Sequence, residues 1–294
     1  MKKTRFAACV AAICLGCAAL AACGDNNRGD SLVTDPEDVE TVVPLPQPPA
    51  DTQEPPVVEP LPDPAPDPEP DPVPDPVPDP APLRAQYVYV RSDGLNVRAG
   101  AGTSFASLGT LEKGILLQLN GTENGWHETY YKNRKAYVSA NTKYTSVTLL
   151  DRGESDVENV IEEGLRLLGV PYVYGAVRLH DGKGNFLKGF TVKQFDCSSL
   201  MQYIFYQGAG KLLDVTTRTQ IVQGKEVKKS EIKRGDLLFF TNASRKDKVG
   251  LERVGHVALY LGDNYILHTA SDYAKIEQIS ATRWSYYLAA KRVL

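Results

Sequence analysis

Residues 195–201 read Phe-Asp-Cys-Ser-Ser-Leu-Met, and they open a segment whose apolar residues recur at three- and four-residue intervals. Those apolar positions are Leu200, Met201, Ile204 and Phe205. The spacing predicts a helix that ends near the Gly-Ala-Gly stretch at 208–210. Cys197 then lies in the first turn, with Asp196 as the capping residue. Because the unpaired N–H groups and the dipole at that helix end favour a thiolate, Cys197 is a candidate nucleophile.

The flanking sequence predicts another helix upstream of this segment and three strands downstream of it. Residues 157–168 have helical spacing and stop before Pro171. The predicted strands cover residues 236–240, 255–261 and 264–268.

The predicted hairpin between the last two strands decides where two histidines lie. Residues 262–264 read Gly-Asp-Asn, which is a hairpin signal. A three-residue loop places Ala258 opposite His268, so that His256 and His268 become diagonal neighbours with Cα atoms ~7–8 Å apart. A loop one residue longer or shorter would put the two histidines on opposite faces. The predicted histidine pair therefore depends on the loop length.

A helix-terminal cysteine and two histidines on a nearby strand face form a nucleophile–base–orienter arrangement. Cys197 would attack a carbonyl carbon as a thiolate. His256 would take the thiol proton and pass it to the leaving amine, while His268 would hold the His256 ring in the required tautomer. On spacing alone, a buried structural cysteine with two hydrogen-bonded histidines is an open alternative. A zinc site is disfavoured, because one cysteine and two histidines lack further local ligands.

Five segments stand in a fixed order along residues 150–294: 170–175, 195–200, 234–240, 255–262 and 268–270. In this order they resemble the catalytic domain of NlpC/P60 cysteine peptidases. The resemblance implies a papain-like α+β fold and hydrolysis of peptidoglycan stem peptides. The usual bond joins γ-D-glutamate to a diamino acid, which is diaminopimelate or lysine. It implies no metal and no organic cofactor.

The resemblance also assigns roles to single residues. It makes Cys197 the nucleophile, His256 the base and His268 the third polar residue. Tyr172 matches a tyrosine that helps to bind the oxyanion. The positions of Asp196 and Ser198 match residues that contact the substrate, in some members through the free amine of its first residue.

The sequence departs from the family pattern around this site. Ser199 and Ala176 stand where the family favours glycine, and Tyr174 where it often has tryptophan. Residues 176–194 are longer than in compact members, and they either overhang the cleft and set specificity or form an idle surface. We expect His180 to lie in a mobile turn of this segment, which is a poor place for a base.

Residues 85–148 have an all-β pattern. Short alternating runs are separated by turn dipeptides at 93–94, 120–121 and 124–125, which predicts about five strands. The order of motifs resembles a bacterial SH3-like domain. Such a barrel binds cell-wall peptide or glycan, or serves as a spacer that packs on its neighbour. His127 is predicted to be a surface histidine.

The N-terminal 22 residues are typical of a signal peptide. A basic start precedes an apolar run at 6–20, which is too short to span a membrane. Residues 20–23 read Leu-Ala-Ala-Cys and resemble the lipobox of bacterial lipoproteins. The resemblance implies cleavage before Cys23 and lipidation of its thiol and its new amine. An ordinary cleavage site with a chance cysteine is the alternative. With Cys23 lipidated, Cys197 has no partner for a disulfide.

Residues 23–84 are predicted to be a disordered, extended linker. Of the 20 prolines in the chain, 18 lie between Pro44 and Pro82. The linker carries 15 acidic residues against Arg28 and Arg84, whereas residues 85–294 are basic. The linker would hold the folded part away from a membrane, or alternatively bind a proline-recognising domain. The basic part suits an anionic polymer such as the cell wall.

Together these features predict a lipid-anchored cell-wall hydrolase on the extracytoplasmic face of a membrane. The Cys23 anchor is compatible with a cell-membrane or an outer-membrane position. We expect peptidoglycan stem peptides as partners, no nucleic acid, and a monomer. The alternatives are a catalytically inactive wall-binding lipoprotein, and an amidase or acyltransferase that acts on a non-wall substrate.

Overall fold

The computed structural model describes residues 83–294. The predicted signal peptide, the predicted lipidation site Cys23 and the proline-rich stretch to Pro82 lie outside the described residues. Among the helices of residues 83–294, each is too short or too polar to cross a membrane.

Eight strands form the N-terminal part of the described chain. They are β1 (Arg84–Val90), β2 (Leu95–Arg98), β3 (Ser107–Leu111), β4 (Leu116–Gln118), β5 (Gly121–Glu123), β6 (Trp126–Tyr131), β7 (Arg134–Ser139) and β8 (Thr145–Asp151). The sequence predicted an all-β section, but about five strands is too few. Strands of three or four residues, such as β4 and β5, are too short to display an alternating pattern.

His127 is buried, so the prediction of a surface histidine is wrong. Along β6 the side chains of His127, Thr129 and Tyr131 face inward, and Trp126 stands on the other face. His127 is 6% exposed, and its Nδ1 lies 2.7 Å from Oγ1 of Thr122. Burial lowers the pKa of this imidazole. The sequence of this short strand predicts that the side chains alternate between two faces, but it does not indicate which face packs on the core.

The C-terminal part contains four α-helices and six strands. They are α1 (Ser155–Arg166), α2 (Cys197–Ala209), α3 (Thr217–Gln220), β9 (Lys225–Val227), β10 (Leu237–Phe240), β11 (His256–Gly262), β12 (Tyr265–Ala270), β13 (Tyr273–Gln278), α4 (Ala281–Ser285) and β14 (Tyr287–Arg292). Helix α2 ends at Gly210 in the left-handed conformation, with φ of 61°. The two longer helices and three strands agree with the predicted elements to within two residues.

The strands form two sheets, and one of them runs through both parts of the chain. The larger sheet has the order β8-β1-β4-β13-β12-β11-β10-β14-β9, and the smaller has the order β3-β2-β7-β6-β5. Leu116 of β4 pairs with Ile276 of β13 where the two parts join. Helix α2 packs against α1 and on strands β11 and β12. Buried side chains from both parts form one hydrophobic cluster. The all-β part is therefore built into the sheet that carries the histidines.

A buried arginine ties the two parts together. Arg234 donates two hydrogen bonds to Glu158 of α1, at 2.6 Å and 3.0 Å. It also donates to the hydroxyl of Tyr87 in β1 at 2.9 Å and to the carbonyl of Leu261 in β11 at 2.7 Å. Because every acceptor comes from a different element, this one side chain fixes β1, α1 and β11 relative to each other.

Candidate active site

The start of α2 is a capping box that positions Cys197. The backbone N–H of Ser199 donates to Oδ1 of Asp196 at 2.8 Å, and the N–H of Asp196 donates to Oγ of Ser199 at 2.9 Å. The predicted capping role of Asp196 is confirmed. Ser199, which stands where the family favours glycine, supplies the second half of the cap through its hydroxyl group. Two helix-terminal donors are thus satisfied around the candidate nucleophile.

The Cys197 thiol is buried at this helix end. Burial raises its pKa, and the negative charge of Asp196 adds to the rise. Backbone N–H groups of Val257 and Ser198 act in the opposite direction but do not overcome burial. In the resting site, desolvation of the charge therefore outweighs the N–H groups that favour a thiolate at this helix end. The thiol needs a base beside it to lose its proton.

His256 and His268 share a face of the sheet, as the hairpin predicted. Leu259 pairs with Leu267, which is the predicted register, but the predicted three-residue loop is wrong. The turn has two residues, Asp263 and Asn264, because Gly262 pairs with Tyr265, and a bulge between Tyr260 and Gly262 restores the register. The His256 Nε2 and His268 Nδ1 atoms are 2.9 Å apart. The two rings meet edge to face, with centroids 5.1 Å apart. Burial lowers the pKa of both imidazoles, so both rings are neutral near pH 7.

Glu277 of β13 extends this pair to a third side chain. Its Oε1 lies 3.0 Å from Nε2 of His268. Arg283 Nη2 lies 3.3 Å from the same oxygen, and Lys275 Nζ lies 3.7 Å from Oε2. Burial by itself raises the pKa of Glu277, but the hydrogen bond with His268 and the two cations hold it at about 2. Glu277 is therefore ionised at neutral pH and accepts a hydrogen bond from a ring nitrogen that bears a hydrogen.

The Glu277 carboxylate sets the tautomers of both imidazoles. A carboxylate at Nε2 of His268 requires the hydrogen on Nε2, which leaves Nδ1 of His268 as an acceptor. Nε2 of His256 must then carry the hydrogen that it donates to His268. The free lone pair of His256 is consequently on Nδ1, and this is the nitrogen available to take a proton. Sequence reasoning missed Glu277, although its place two residues past the partner of His268 in β13 is a signal that strand pairing makes readable.

Asp196 and Ser198, predicted to contact substrate, are engaged with an arginine that sequence reasoning missed. Arg178 Nη2 donates to Oδ2 of Asp196 at 2.8 Å and to Oγ of Ser198 at 3.2 Å. The hydroxyl of Ser198 also donates to Oδ1 of Asp196 at 3.0 Å. The backbone N–H of Gly175 donates to Oδ2 at 3.2 Å. Asp196 is 4% exposed, so its charge is paired within the protein.

Arg178 belongs to the 176–194 segment, so this segment is part of the site. Its Nε donates to the carbonyl of Val215 at 2.9 Å, and its Nη1 donates to the carbonyl of Ala176 at 2.6 Å. His180 of the same segment is fully buried, and its ring packs against that of Tyr206. The expectation of a mobile turn at His180 is wrong, because the turn folds back onto α2. The ring accepts a hydrogen bond from its own turn and lies outside the Cys197 cavity.

A cavity of about 360 Å³ opens beside the candidate nucleophile. Cys197, His256 and Tyr172 line it together, whereas His268 lies behind His256. Burial raises the pKa of Tyr172 to about 12, with the nearby Cys197 adding to the rise. Tyr172 therefore keeps its proton at neutral pH and can donate a hydrogen bond to a developing oxyanion. The structure brings all three predicted groups to one cavity.

The fold and the site together define the structural class of the C-terminal part. A cysteine at the start of a helix that packs on an antiparallel sheet, with a histidine of that sheet facing it, is the papain-like α+β arrangement. Residues 169–293 match the NlpC/P60 family, and residues 93–146 match the bacterial SH3 domain. The chain contains an NlpC/P60 family domain preceded by a bacterial SH3 domain.

Several characterised proteins are similar to this chain over part of their length. "Peptidoglycan endopeptidase RipA" of Mycolicibacterium smegmatis is 31% identical over 139 residues, which are 46% of this chain and 26% of that protein. "Gamma-D-glutamyl-L-lysine dipeptidyl-peptidase" of Bacillus subtilis is 28% identical over 171 residues, which are 58% of this chain and 50% of that protein. The chain thus spans between about a quarter and a half of these two relatives.

A solved structure is also similar. It is the peptidoglycan hydrolase RipB of Mycobacterium tuberculosis, with 28% identity and a TM-score of 0.37, over 47% of this chain and 65% of that one.

Proposed function

We propose that this protein is a cell-wall peptidoglycan hydrolase, a cysteine endopeptidase that cleaves stem peptides between γ-D-glutamate and a diamino acid. One observation carries the proposal: His256, whose lone pair is set by the Glu277–His268 chain, lines the same cavity as Cys197. The relatives named as peptidoglycan endopeptidases and as a γ-D-glutamyl dipeptidyl-peptidase support the substrate class.

The proposed reaction moves one proton through His256. Nδ1 of His256 takes the thiol proton while Sγ of Cys197 attacks the carbonyl carbon. The positive imidazolium of His256 and the negative sulfur of Cys197 form next to each other, so each charge stabilises the other although both groups are buried. Tyr172 donates a hydrogen bond to the oxyanion. The C–N bond then breaks, and His256 gives its proton to the leaving amine.

Water completes the cycle. His256 takes a proton from the water that attacks the thioester carbon, and the C–S bond breaks. Sγ of Cys197 leaves as a thiolate and recovers its proton from His256. The free carboxyl group of the γ-glutamyl residue and the neutral thiol are the products of this half-reaction.

The proposal includes a place for the enzyme. The lipobox-like residues 20–23 and the proline-rich acidic stretch after them support a lipid anchor at Cys23 and an extended tether on the extracytoplasmic side of a membrane. Replacing Cys23 with alanine should release the protein from membranes in fractionated cells. Retention of the Cys23→Ala protein in the membrane fraction would reject the anchor.

Defined muropeptides test the reaction. Purified protein is incubated with them, and mass spectrometry identifies the products. New amine termini on the diamino acid support the proposal, and the Cys197→Ala protein should produce none. Equal cleavage by both proteins would reject Cys197 as the nucleophile. Cleavage by neither would reject the enzyme and favour the wall-binding alternative.

A further inference from the structure

The cavity beside Cys197 carries one permanent charge in its lining. Arg283 lines it together with neutral polar residues from several elements, among them Asn242, Ser271, Ser280 and Thr282. Among the described residues that line this cavity, none is aspartate or glutamate. Arg283 is thus the one charged group of this lining that can pair with a negatively charged ligand, while Glu277 behind it offsets part of its charge.

Arg283 is held at the cavity by contacts that leave part of its guanidinium free. The N–H of Arg283 donates to Oγ of Ser280, the N-cap of α4, at 3.1 Å. Its guanidinium lies 5.9 Å from the centre of the Phe240 ring. Within residues 83–294 this guanidinium makes one hydrogen bond, from Nη2 to Glu277 at 3.3 Å. Its side chain is 25% exposed, so Nε and Nη1 remain available for a ligand.

A buried hydroxyl group beside this cavity lacks a hydrogen-bond partner. Thr241 lines the cavity and is 5% exposed. Its Oγ1 has no hydrogen-bond partner within residues 83–294. Buried hydroxyls of this kind are uncommon, because the missing hydrogen bond costs stability. Thr241 follows Phe240, over which Arg283 lies, but its Oγ1 is itself covered, so Arg283 is the group on this side that a ligand can reach.

The direction of the reaction decides which part of a substrate enters this side. His256 gives its proton to the leaving amine, so the leaving residue must lie on the side of His256. The cavity surrounds His256 with the end of β10, the start of β11 and the start of α4. Asp196 and Ser198, in contrast, flank Cys197 in sequence and are absent from its lining. The leaving residue therefore occupies the Arg283 side.

We infer that this cavity binds the residue on the leaving side of the scissile bond, and that Arg283 pairs with a carboxylate carried by that residue. The inference rests on the proposed function and names its substrate class: stem peptides whose diamino acid is anionic at this point. The carboxylate has two sources. It is the side-chain carboxylate that diaminopimelate has and lysine lacks, or the terminal carboxylate of a peptide that ends at the diamino acid.

Four peptides separate the two sources. They are L-Ala-γ-D-Glu followed by meso-diaminopimelate or by L-lysine, each with and without a further D-alanine. A side-chain carboxylate predicts that both diaminopimelate peptides have a kcat/KM about 10- to 100-fold above their lysine counterparts. A terminal carboxylate predicts the same factor for the shorter peptides over the longer ones. Equal values for all four would overturn the inference.

Two variants assign the preference to Arg283. Arg283→Met should bring the preferred ratio to about one, whereas Arg283→Lys should keep part of it. Lys275→Met is the matched control, because Lys275 also lies beside Glu277 but does not line the cavity. It should leave the ratio unchanged. An equal loss for all peptides in Arg283→Met would mean that Arg283 acts only through Glu277, and would overturn the inference.

Binding separates this inference from the proposed function. The Cys197→Ala protein can be titrated with the same four peptides by calorimetry, which requires no cleavage. A preference in Kd that Arg283→Met removes supports the carboxylate site even if the unaltered protein cleaves nothing. Absence of any preference in Kd, in a protein that does cleave, would reject the site and leave the hydrolase intact.

Discussion

Glu277 accepts a hydrogen bond from His268 across two neighbouring strands, with 3.0 Å between Oε1 and Nε2. This contact decides which histidine donates the hydrogen bond between them, because an ionised carboxylate fixes the hydrogen of His268 on Nε2. His256 then has its lone pair on Nδ1. The base of the proposed reaction is therefore prepared by a residue that does not line the cavity with Cys197.

Replacing Glu277 with alanine should slow the chemical step. The loss of a charge-assisted hydrogen bond frees His268 to adopt the other tautomer, and we expect kcat to fall about 10- to 100-fold with KM little changed. The kcat of Glu277→Gln should fall less than that of Glu277→Ala, since the amide oxygen can still accept a hydrogen bond from Nε2 of His268. Steady-state kinetics on a defined muropeptide measures both. Glu226→Ala removes an exposed carboxylate as control, and an unchanged kcat in Glu277→Ala would contradict the positioning role.

The Arg178–Asp196 ion pair should decide whether the proposed reaction needs a free amine on the stem peptide. Because Asp196 is already paired, we expect stem peptides with a free or an acetylated N-terminal amine to be cleaved at similar rates. Arg178→Met would leave the Asp196 charge unpaired, and a substrate ammonium group could replace the guanidinium. We expect kcat/KM in this variant to favour the free amine by about 10-fold.

The stability of the Arg178 variant must be measured with its activity. An unpaired buried carboxylate costs on the order of 3–5 kcal/mol. The double variant Arg178→Met/Asp196→Asn removes both charges, so it should recover part of that loss and show no amine preference. A strong amine preference in the unaltered protein would mean that Asp196 exchanges Arg178 for the substrate, contrary to this prediction.

Local sequence was enough to predict the nucleophile and the histidine pair. The capping residue Asp196 and the apolar spacing after it fix where α2 begins. The register that joins His256 to His268 was predicted correctly, although a two-residue turn with a bulge before it produces this register and not the predicted three-residue loop. Both are relationships between residues close in the chain. The burial that raises the pKa of Cys197 could not be predicted in this way, because it depends on the whole domain and not on the helix end.

The remaining groups of the site come from longer-range packing. Arg178 reaches Val215, 37 residues away, through a segment without regular structure. Glu277 meets His268 only because β13 pairs with β12 in one register. Arg283 arrives on a five-residue helix that no periodic pattern reveals. Neither spacing nor composition encodes such contacts.

Acid should destabilise this protein from about pH 6.5 downward. Burial lowers the pKa of each of the four histidines, His127, His180, His256 and His268. The unfolded chain then binds more protons than the folded one below the ordinary histidine pKa of about 6.5. The free energy of unfolding therefore falls as pH decreases, by at most ~1.4 kcal/mol per pH unit for each histidine.

Thermal unfolding between pH 7.5 and 5 measures this effect. We expect Tm to fall with pH, and to fall less steeply when His127 and His180, which lie outside the Cys197 cavity, are both replaced by glutamine. The acid limb of kcat/KM should lie below pH 6.5, because His256 stays neutral there. A Tm that is constant over this range would mean that the buried histidines are protonated in the folded state.

Arg234 should be worth more to stability than any exposed ion pair of the described chain, because its removal takes the guanidinium away from the half-buried carboxylate of Glu158 and from the buried hydroxyl of Tyr87. In Arg234→Met, Glu158 loses both of its hydrogen bonds from the guanidinium and Tyr87 loses its acceptor contact with the same group. We expect the free energy of unfolding to fall by about 3–5 kcal/mol. Arg84→Ala is the comparison, because it breaks an exposed ion pair in which Nε of Arg84 lies 2.8 Å from Oδ1 of Asp151. Its loss should lower the free energy of unfolding by at most ~1 kcal/mol. Urea unfolding compares the two, and the double variant Arg234→Met/Glu158→Gln should recover most of the loss. Equal small losses in both single variants would mean that the hydrophobic cluster alone holds the SH3 domain to the NlpC/P60 domain.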